Sequence, residues 1–426
     1  MTLDSFFRLK ASGTSVRTEL LAGLTTFLAM AYILAVNPEI LSVAGMDERS
    51  VFTATALSAA IATLIMGLWA KLPFALASGM GLNAFFAYTI CVGLGYSWQF
   101  ALTAVFMEGI LFIILTLLKV RNVVLKALPR SLRFAMGVGI GLFITFNGLS
   151  QVGLVVSNKE TLLGLGDFRS PSVLLALLGL VVTAVLLIKK VPGALLLGMF
   201  VTTLVGIPLG ETHYVGIVDI PPSSVDGFCQ FDFSHIFDME FWFVVLTLFF
   251  VDFFDTLGTV VAVVTKVGVD EKNPRVQRAF MADAIGTTLG AMLGTNTVTT
   301  YCESAVGVAA GGRTGLTALV VSACFLVSLF FAPLFLSVPA AATSAVLVIV
   351  GVYMMASVKE IPWDDFSEAI PAFLCMLMMP FAFSIAEGIA LGVLSYFVIN
   401  LCCGNLKKLS WMIYVLSVIF VLRYLL

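Results

Sequence analysis

Charge is what this sequence has least of. Lysine, arginine, aspartate and glutamate together make up 11% of 426 residues, against about 25% in an average soluble domain. A soluble fold of this length could not cover its surface with so few charges. No basic patch with interleaved aromatics occurs, which excludes nucleic acid as a partner. Histidine occurs twice, His213 and His235, both in one polar loop, so no histidine metal site is expected within the apolar stretches. The seven cysteines (Cys91, Cys229, Cys302, Cys324, Cys375, Cys402 and Cys403) include no pair with metal-site spacing. They read as small hydrophobes in packed helices. No metal and no organic cofactor is expected, and no Ser-His-Asp set stands at membrane depth, so the chain does not read as an enzyme. Residues 1–16 hold Phe6, Phe7, Arg8 and Lys10 but no short apolar core with a small-residue cleavage site. That excludes a signal peptide and reads as an interfacial segment.

Apolar sequence is what remains. Hydrophobic residues make up 60% of the chain and the mean hydropathy is +1.08. Fourteen segments of about 15–25 residues recur, the length a bilayer crossing or half-crossing needs. They span 19–40, 51–70, 74–93, 97–119, 132–152, 172–189, 192–210, 240–265, 277–293, 297–311, 314–336, 338–357, 369–384 and 385–402. The fold class is therefore an all-α polytopic membrane protein in the lipid bilayer. Residues 403–426 form a further hydrophobic segment.

Lysine and arginine in short loops orient the chain. Lys119, Arg121, Lys126, Arg130 and Arg133 follow segment four; Lys189 and Lys190 follow six; Lys266, Lys272, Arg275 and Arg278 follow eight. All fall on one side when the N-terminus is cytoplasmic. The loop 211–239 falls opposite, with Glu211, Asp219, Asp226, Asp232 and Asp238 and no lysine or arginine.

Short matches recur in order along the two halves. Leu24-Thr25-Thr26-Phe27 answers Leu246-Thr247-Leu248-Phe249, Ala60-Ile61-Ala62-Thr63 answers Ala284-Ile285-Gly286-Thr287, and Leu102-Thr103-Ala104 answers Leu316-Thr317-Ala318, at offsets of 222, 224 and 214. Residues 17–210 and 240–402 thus read as two repeats of seven spans. An odd repeat enters the membrane from opposite sides, giving the inverted architecture of secondary transporters, with substrate near the midplane. Segment ten opens Thr297-Val298-Thr299-Thr300-Tyr301, a strand signature, and continues as a short small-residue helix. Segment three is broken by glycine at the matching place, Ser78-Gly79-Met80-Gly81-Leu82-Asn83. Short strands are expected at both. Extended backbone at such depth is tolerated only where protein buries it or a cavity borders it. Close helix packing through small residues is the alternative.

Ionisable side chains inside spans are functional candidates. Asp252, Asp255 and Thr259 share one face of segment eight by their spacing. Glu303 opens the short helix of segment ten, Asp283 lies in segment nine, and Asn83 sits at the break in segment three. No lysine or arginine is expected deep enough to pair with these acids. Uptake of a proton relieves the cost of an unpaired carboxylate in low dielectric, so Asp252, Asp255, Asp283 and Glu303 are the candidates for proton coupling. A carboxylate also accepts from two ring N–H groups of a neutral solute. For Asp252 and Asp283, capping a half-helix or anchoring the other acids stays open. Glu108, Glu387, Asn147 and Gln151 read as packing or gate hydrogen bonds.

These motifs resemble the nucleobase:cation symporter-2 (nucleobase–ascorbate) superfamily, in its adenine/guanine/hypoxanthine permease branch. The resemblance rests on Gly294-Thr295-Asn296-Thr297-Val298-Thr299-Thr300-Tyr301-Cys302-Glu303-Ser304, on Val251-Asp252-Phe253-Phe254-Asp255-Thr256-Leu257-Gly258-Thr259, and on Met80-Gly81-Leu82-Asn83-Ala84-Phe85-Phe86-Ala87. It implies fourteen spans in two inverted sevens, with a core domain from spans 1–4 and 8–11 and a gate domain from spans 5–7 and 12–14. It implies a proton-coupled importer of purine nucleobases in the cell membrane, commonly a homodimer. Asp255 and Glu303 match the acids that hold the base, and Asn83 matches a position tied to purine recognition. Thr259 and Ser304 adjoin them in the motifs and complete the expected substrate set. Cys302 departs from the pattern, since relatives often carry glycine or an aliphatic residue there. Bicarbonate- or sulfate-type anion transporters share this architecture and are the alternative, but Asp252, Asp255 and Glu303 oppose an anion.

Overall fold

The computed structural model describes residues 3–118, 128–158, 161–223, 225–270 and 273–425. Lys119, Arg121, Lys126 and Lys272, used above to orient the chain, lie outside the described residues. The first long helices are α1 (Val16–Met30), α2 (Ile33–Ser42) and α3 (Glu48–Ile65). Then come strand β1 (Leu76–Ser78), short helix α4 (Met80–Ala84), α5 (Trp98–Leu117) and α6 (Arg130–Gln151). A hairpin, β2 (Val155–Asn158) and β3 (Leu162–Leu165), precedes α7 (Pro171–Ile188) and α8 (Ala194–Gly206). The second half holds α9 (Met239–Val267), α10 (Pro274–Leu293), β4 (Val298–Thr300), short helix α11 (Ser304–Ala309) and α12 (Gly315–Ser328). The last helices are α13 (Ala340–Met355), α14 (Phe366–Phe381), α15 (Ile385–Cys402) and α16 (Trp411–Leu425).

The chain is a mostly helical, multi-pass membrane fold. Among the described residues eight helices are long and apolar enough to cross a bilayer, and four apolar helices are shorter. Helix starts follow local chemistry. The side chains of Ser15, Asp47, Ser97, Asn273, Thr314, Asp365 and Ser384 each accept a backbone N–H of the first turn, answering donors that the helix itself leaves unpaired. The β2–β3 hairpin lies in the link between segments five and six, where the sequence reading places no element. Its Val155, Val156, Leu162 and Leu163 are ordinary strand formers, too few to stand out.

β1 and β4 pair antiparallel, with Leu76 opposite Thr300, Ala77 opposite Thr299 and Ser78 opposite Val298. All six residues are buried. Two threonines that the sequence matches, Thr63 and Thr287, do the same work on either side. Thr63 Oγ1 donates to Leu76 O at 3.1 Å, and Thr287 Oγ1 donates to Val298 O at 2.8 Å. Each fastens one end of a strand whose backbone helices could not satisfy. Gly109 sets the approach of α5 to α10, since a Cβ there would lie 2.5 Å from Thr288 Oγ1.

The helices pack in two groups: α1, α2, α3, α5, α9, α10 and α12 surround the strand pair, while α6, α7, α8, α13, α14 and α15 pack on one another. Cationic side chains gather at one end of the helices. Arg275 Nε donates to Ala70 O at 3.2 Å, Arg130 pairs with Glu360 at 3.3 Å and Lys408 with Asp365 at 2.7 Å. At the other end Arg49 reaches Asp219 at 3.5 Å.

Candidate functional site

Glu303 sits where β4 gives way to α11. The β-branched run before it holds the backbone extended, and Ser304-Ala305-Val306-Gly307 then permits a tight small-residue helix against α1. Its carboxylate is well held. Tyr32 Oη, from the break between α1 and α2, donates to Oε1 at 2.6 Å. Cys302 Sγ lies 3.3 Å from Oε2.

Asp255 projects from α9 into a cavity of about 340 Å³ shared with Glu303, Cys302 and Thr259. That is within the range of small-molecule sites, about 300–1,000 Å³. Its carboxylate is open to this cavity although protein surrounds it. Phe134, Phe254 and Tyr353 supply aromatic walls, and Arg130 and Arg133 stand at the start of α6 in the same lining. A second cavity of about 610 Å³ shares Glu303, Cys302, Thr259 and Tyr353 and extends past Lys190 and Pro192. Cations border both cavities, Arg130 and Arg133 the first and Lys190 the second.

The sequence reading expected no lysine or arginine deep enough to pair with the acids. Arg130 and Arg133 do reach the cavity, because α6 begins at Arg130 and its first turn forms the wall. Among the described residues neither pairs with Asp255 or Glu303; the Arg133 guanidinium lies over the Phe254 ring at 6.0 Å.

Behind Asp255 lies a closed polar cluster. Asp283 accepts from Thr300 Oγ1 at 2.9 Å and from Thr256 Oγ1 at 2.9 Å. Thr256 Oγ1 also lies 2.7 Å from Thr299 Oγ1. Asp252 is one turn before Asp255 and fully buried. Glu108 reaches in from α5, where Thr297 Oγ1 donates to its Oε2 at 2.8 Å. The strand therefore bonds acids on two sides, and its end carries Glu303.

Of the five residues expected to bind substrate, Asp255, Glu303 and Thr259 line the cavities. Asn83 and Ser304 lie elsewhere. Asn83 is buried, with Nδ2 donating to Asn37 Oδ1 at 3.2 Å; Asn37 in turn donates to Thr55 at 2.8 Å and Thr295 at 2.9 Å. Ser304 Oγ accepts the Ala75 amide at 3.0 Å and ties α11 to the strand pair. Tyr32, Tyr353, Phe254 and Glu108 were not singled out by sequence as site residues. Aromatics are too common in apolar spans to mark a site. Glu108, an acid within a span, did carry the signal.

Residues 17–391 match the Permease family. The chain is 44% identical to the adenine permease AdeP of Escherichia coli, covering 99% of this chain and 95% of that one. It is 43% identical to the guanine/hypoxanthine permease PbuG of Bacillus subtilis, covering 99% of each. Among solved structures, the transmembrane domain of the cyanobacterial bicarbonate transporter BicA superposes with a TM-score of 0.66 at 17% identity, covering 87% of this chain and 97% of that one. At that identity the likeness is one of fold.

Proposed function

From the premise that the chain belongs to the Permease family, in the adenine/guanine/hypoxanthine branch of the nucleobase:cation symporter-2 superfamily, we propose that it imports purine nucleobases in symport with protons. The observation that carries this reading is the pairing of Asp255 and Glu303 across one aromatic-walled cavity. Two carboxylates offer acceptors to the ring N–H groups of a planar neutral base. Phe134, Phe254 and Tyr353 offer faces on which it stacks. The names of AdeP and PbuG, permeases for adenine and for guanine and hypoxanthine, agree with that chemistry.

The finer architecture belongs to the same proposal. The chain makes fourteen crossings as two inverted sevens, with a cytoplasmic N-terminus. The group around β1 and β4 is the core that carries substrate. The group around α6 and α13 is the gate through which two copies form a homodimer. The cation-bearing end of the helices supports this orientation, and the cavities that cations border correspond to an inward-facing state. The coupling ion is the proton, and no cofactor takes part.

The fold shared with BicA favours one second reading, an anion carrier. Asp255 in the cavity, without a cation paired to it, opposes an anion at this site.

Uptake of labelled hypoxanthine into cells lacking their own purine permeases tests the proposal, with unlabelled adenine, guanine, uracil and xanthine as competitors. Purines should compete, a protonophore should collapse accumulation, and replacing sodium by choline should leave it intact. Uptake that purines do not inhibit, or that follows sodium, overturns it.

A further inference from the structure

Glu108 and Asp252 face one another in the closed cluster behind the purine cavity. Both are fully buried. They stand on α5 and α9, which pack together, and each carboxyl acts directly on the other. Glu108 has one oxygen accounted for, Oε2 by Thr297 at 2.8 Å, whereas Asp252 Oδ1 has only a 3.5 Å approach from Thr256, whose single hydrogen is directed to Asp283 at 2.9 Å. The other oxygens, Glu108 Oε1 and Asp252 Oδ2, are buried and have no donor among the described residues.

An ionised carboxylate only accepts hydrogen bonds, whereas a protonated one also donates. Buried acceptor oxygens on two neighbouring carboxylates repel unless a hydrogen lies between the groups. The charged and titratable groups facing the pair are Asp283 from α10 and Asp255 from α9, with Thr256, Thr297 and Thr299 supplying hydroxyls. All the ionisable neighbours are acids, and Arg133 of α6 lies over the Phe254 ring instead. One hydrogen on the pair satisfies both oxygens and leaves a single negative charge where two would stand.

The fold does not ask for an acid at position 108. The 214-residue offset between repeats brings Ser322 to the matching place in α12, where its hydroxyl bonds Ala60 O at 2.7 Å. A small neutral group serves packing there. Glu108 is the acid that the first repeat contributes to a cluster otherwise drawn from the second.

We propose that the Glu108–Asp252 carboxyl pair is the seat of the coupling proton, with Glu108 a proton-carrying residue that never touches the purine. The proposal rests on the symport reading above and deepens it. The proton occupies an O–H bond on one carboxyl and is shared with the facing oxygen of the other. It leaves toward the cavity past Asp255, one helical turn from Asp252. Departure restores two facing anions and drives α5 and α9 apart. Because Glu108 also holds Thr297, and the strand from Val298 to Thr300 runs directly into Glu303, that movement reaches the purine ligand along the backbone.

The test uses the full chain in liposomes, as wild type, Glu108→Gln, Glu108→Asp and Asp252→Asn. Infrared spectra at neutral pH read the C=O stretch of protonated carboxyls, identified by its shift in D2O. Counterflow of labelled hypoxanthine is measured beside its accumulation under an imposed pH gradient. Glu108→Gln should lose a carboxyl band and lose gradient-driven accumulation while keeping counterflow. Glu108→Asp should regain part of both. A full-strength band in Glu108→Gln, accumulation at the wild-type level, or a wild-type spectrum without such a band overturns the proposal. Should Glu108→Gln fail to assemble, Asp252→Asn gives the same two readings from the other member of the pair. If the wild type moves no purine, the symport reading falls, while the infrared bands still decide whether the pair holds a proton.

Discussion

Tyr32 and Glu303, 271 positions apart in the chain, are joined by a hydrogen bond of 2.6 Å. The bond joins the first and second halves of the chain and fixes the carboxylate that the purine would meet. Tyr32→Phe keeps the ring and removes the donor. A hydrogen bond to a charged group contributes about 1.5–3 kcal/mol, and part of that now holds Glu303 in position. Purine affinity should fall by roughly tenfold, read by titration calorimetry on purified protein. Unchanged affinity would mean that the strand and helix alone position Glu303.

Glu303→Gln should lose purine binding more severely. The amide offers one acceptor and two donors where two acceptors stood. Loss of one charge-assisted bond, and of a partner for a buried N–H, should weaken binding by roughly a hundredfold or more. A thermal-shift titration separates this from misfolding, and near-native affinity would place the purine elsewhere.

Asp255→Asn should impair purine binding more than Asp252→Asn, because Asp255 opens to the cavity whereas Asp252 is sealed behind it. Binding isotherms of both variants decide the order. Equal affinities would remove Asp255 from the site.

Gly109→Ala should destabilise the protein without touching any polar group of the site. The new methyl would stand 2.5 Å from Thr288 Oγ1 and 2.9 Å from its backbone nitrogen. The side chain can turn away but the backbone cannot. Overpacking of this kind costs about 1–3 kcal/mol, visible as a lower melting temperature in detergent. An unchanged melting temperature would show that α5 and α10 have room to separate.

Asp365 caps α14 and is gripped by the Lys408 ammonium at 2.7 Å and by the Ser367 hydroxyl at 2.7 Å. Those partners hold its carboxyl down to about 2. A lowered value means that folding favours the ionised form. Its contribution is present above the usual carboxylate range, near about 4, and is lost as pH falls toward about 2. Solvent screens this exposed pair, so Asp365→Asn should lower the melting temperature only slightly at neutral pH. The gap between variant and wild type should close on acidification. A gap constant with pH would argue that the ion pair contributes nothing.

How much of this the sequence disclosed depends on how locally each feature is encoded. Apolar run lengths reveal spans because the bilayer imposes a length. Asp255 and Glu303 stood out because an acid costs energy at such depth. Tyr32 did not, since a tyrosine among phenylalanines signals nothing until its partner 271 positions away is in place. Asn83 drew notice by its motif, yet its amide meets Asn37 and not the cavity, a choice made by tertiary packing. Glu108 and Asp252 were each legible as acids within spans; their pairing was not, because two helices far apart in sequence had to be docked first. The β2–β3 hairpin is too short for its pattern to rise above a loop.

The β1–β4 ladder also bears on how the molecule is made. Ala77 waits for Thr299, so a nascent chain that has threaded only its first repeat holds three residues of extended backbone with no partner. In hydrocarbon such groups cannot turn to water. Until the second repeat arrives, the early half must keep these groups in the translocation machinery, in a chaperone, or in some provisional helix. The cavity lined by Asp255 and Glu303 and this ladder are complete only when both halves of the chain are present. A chain that stops before residue 298 lacks the strand that pairs with Leu76–Ser78 and is unfinished at its centre.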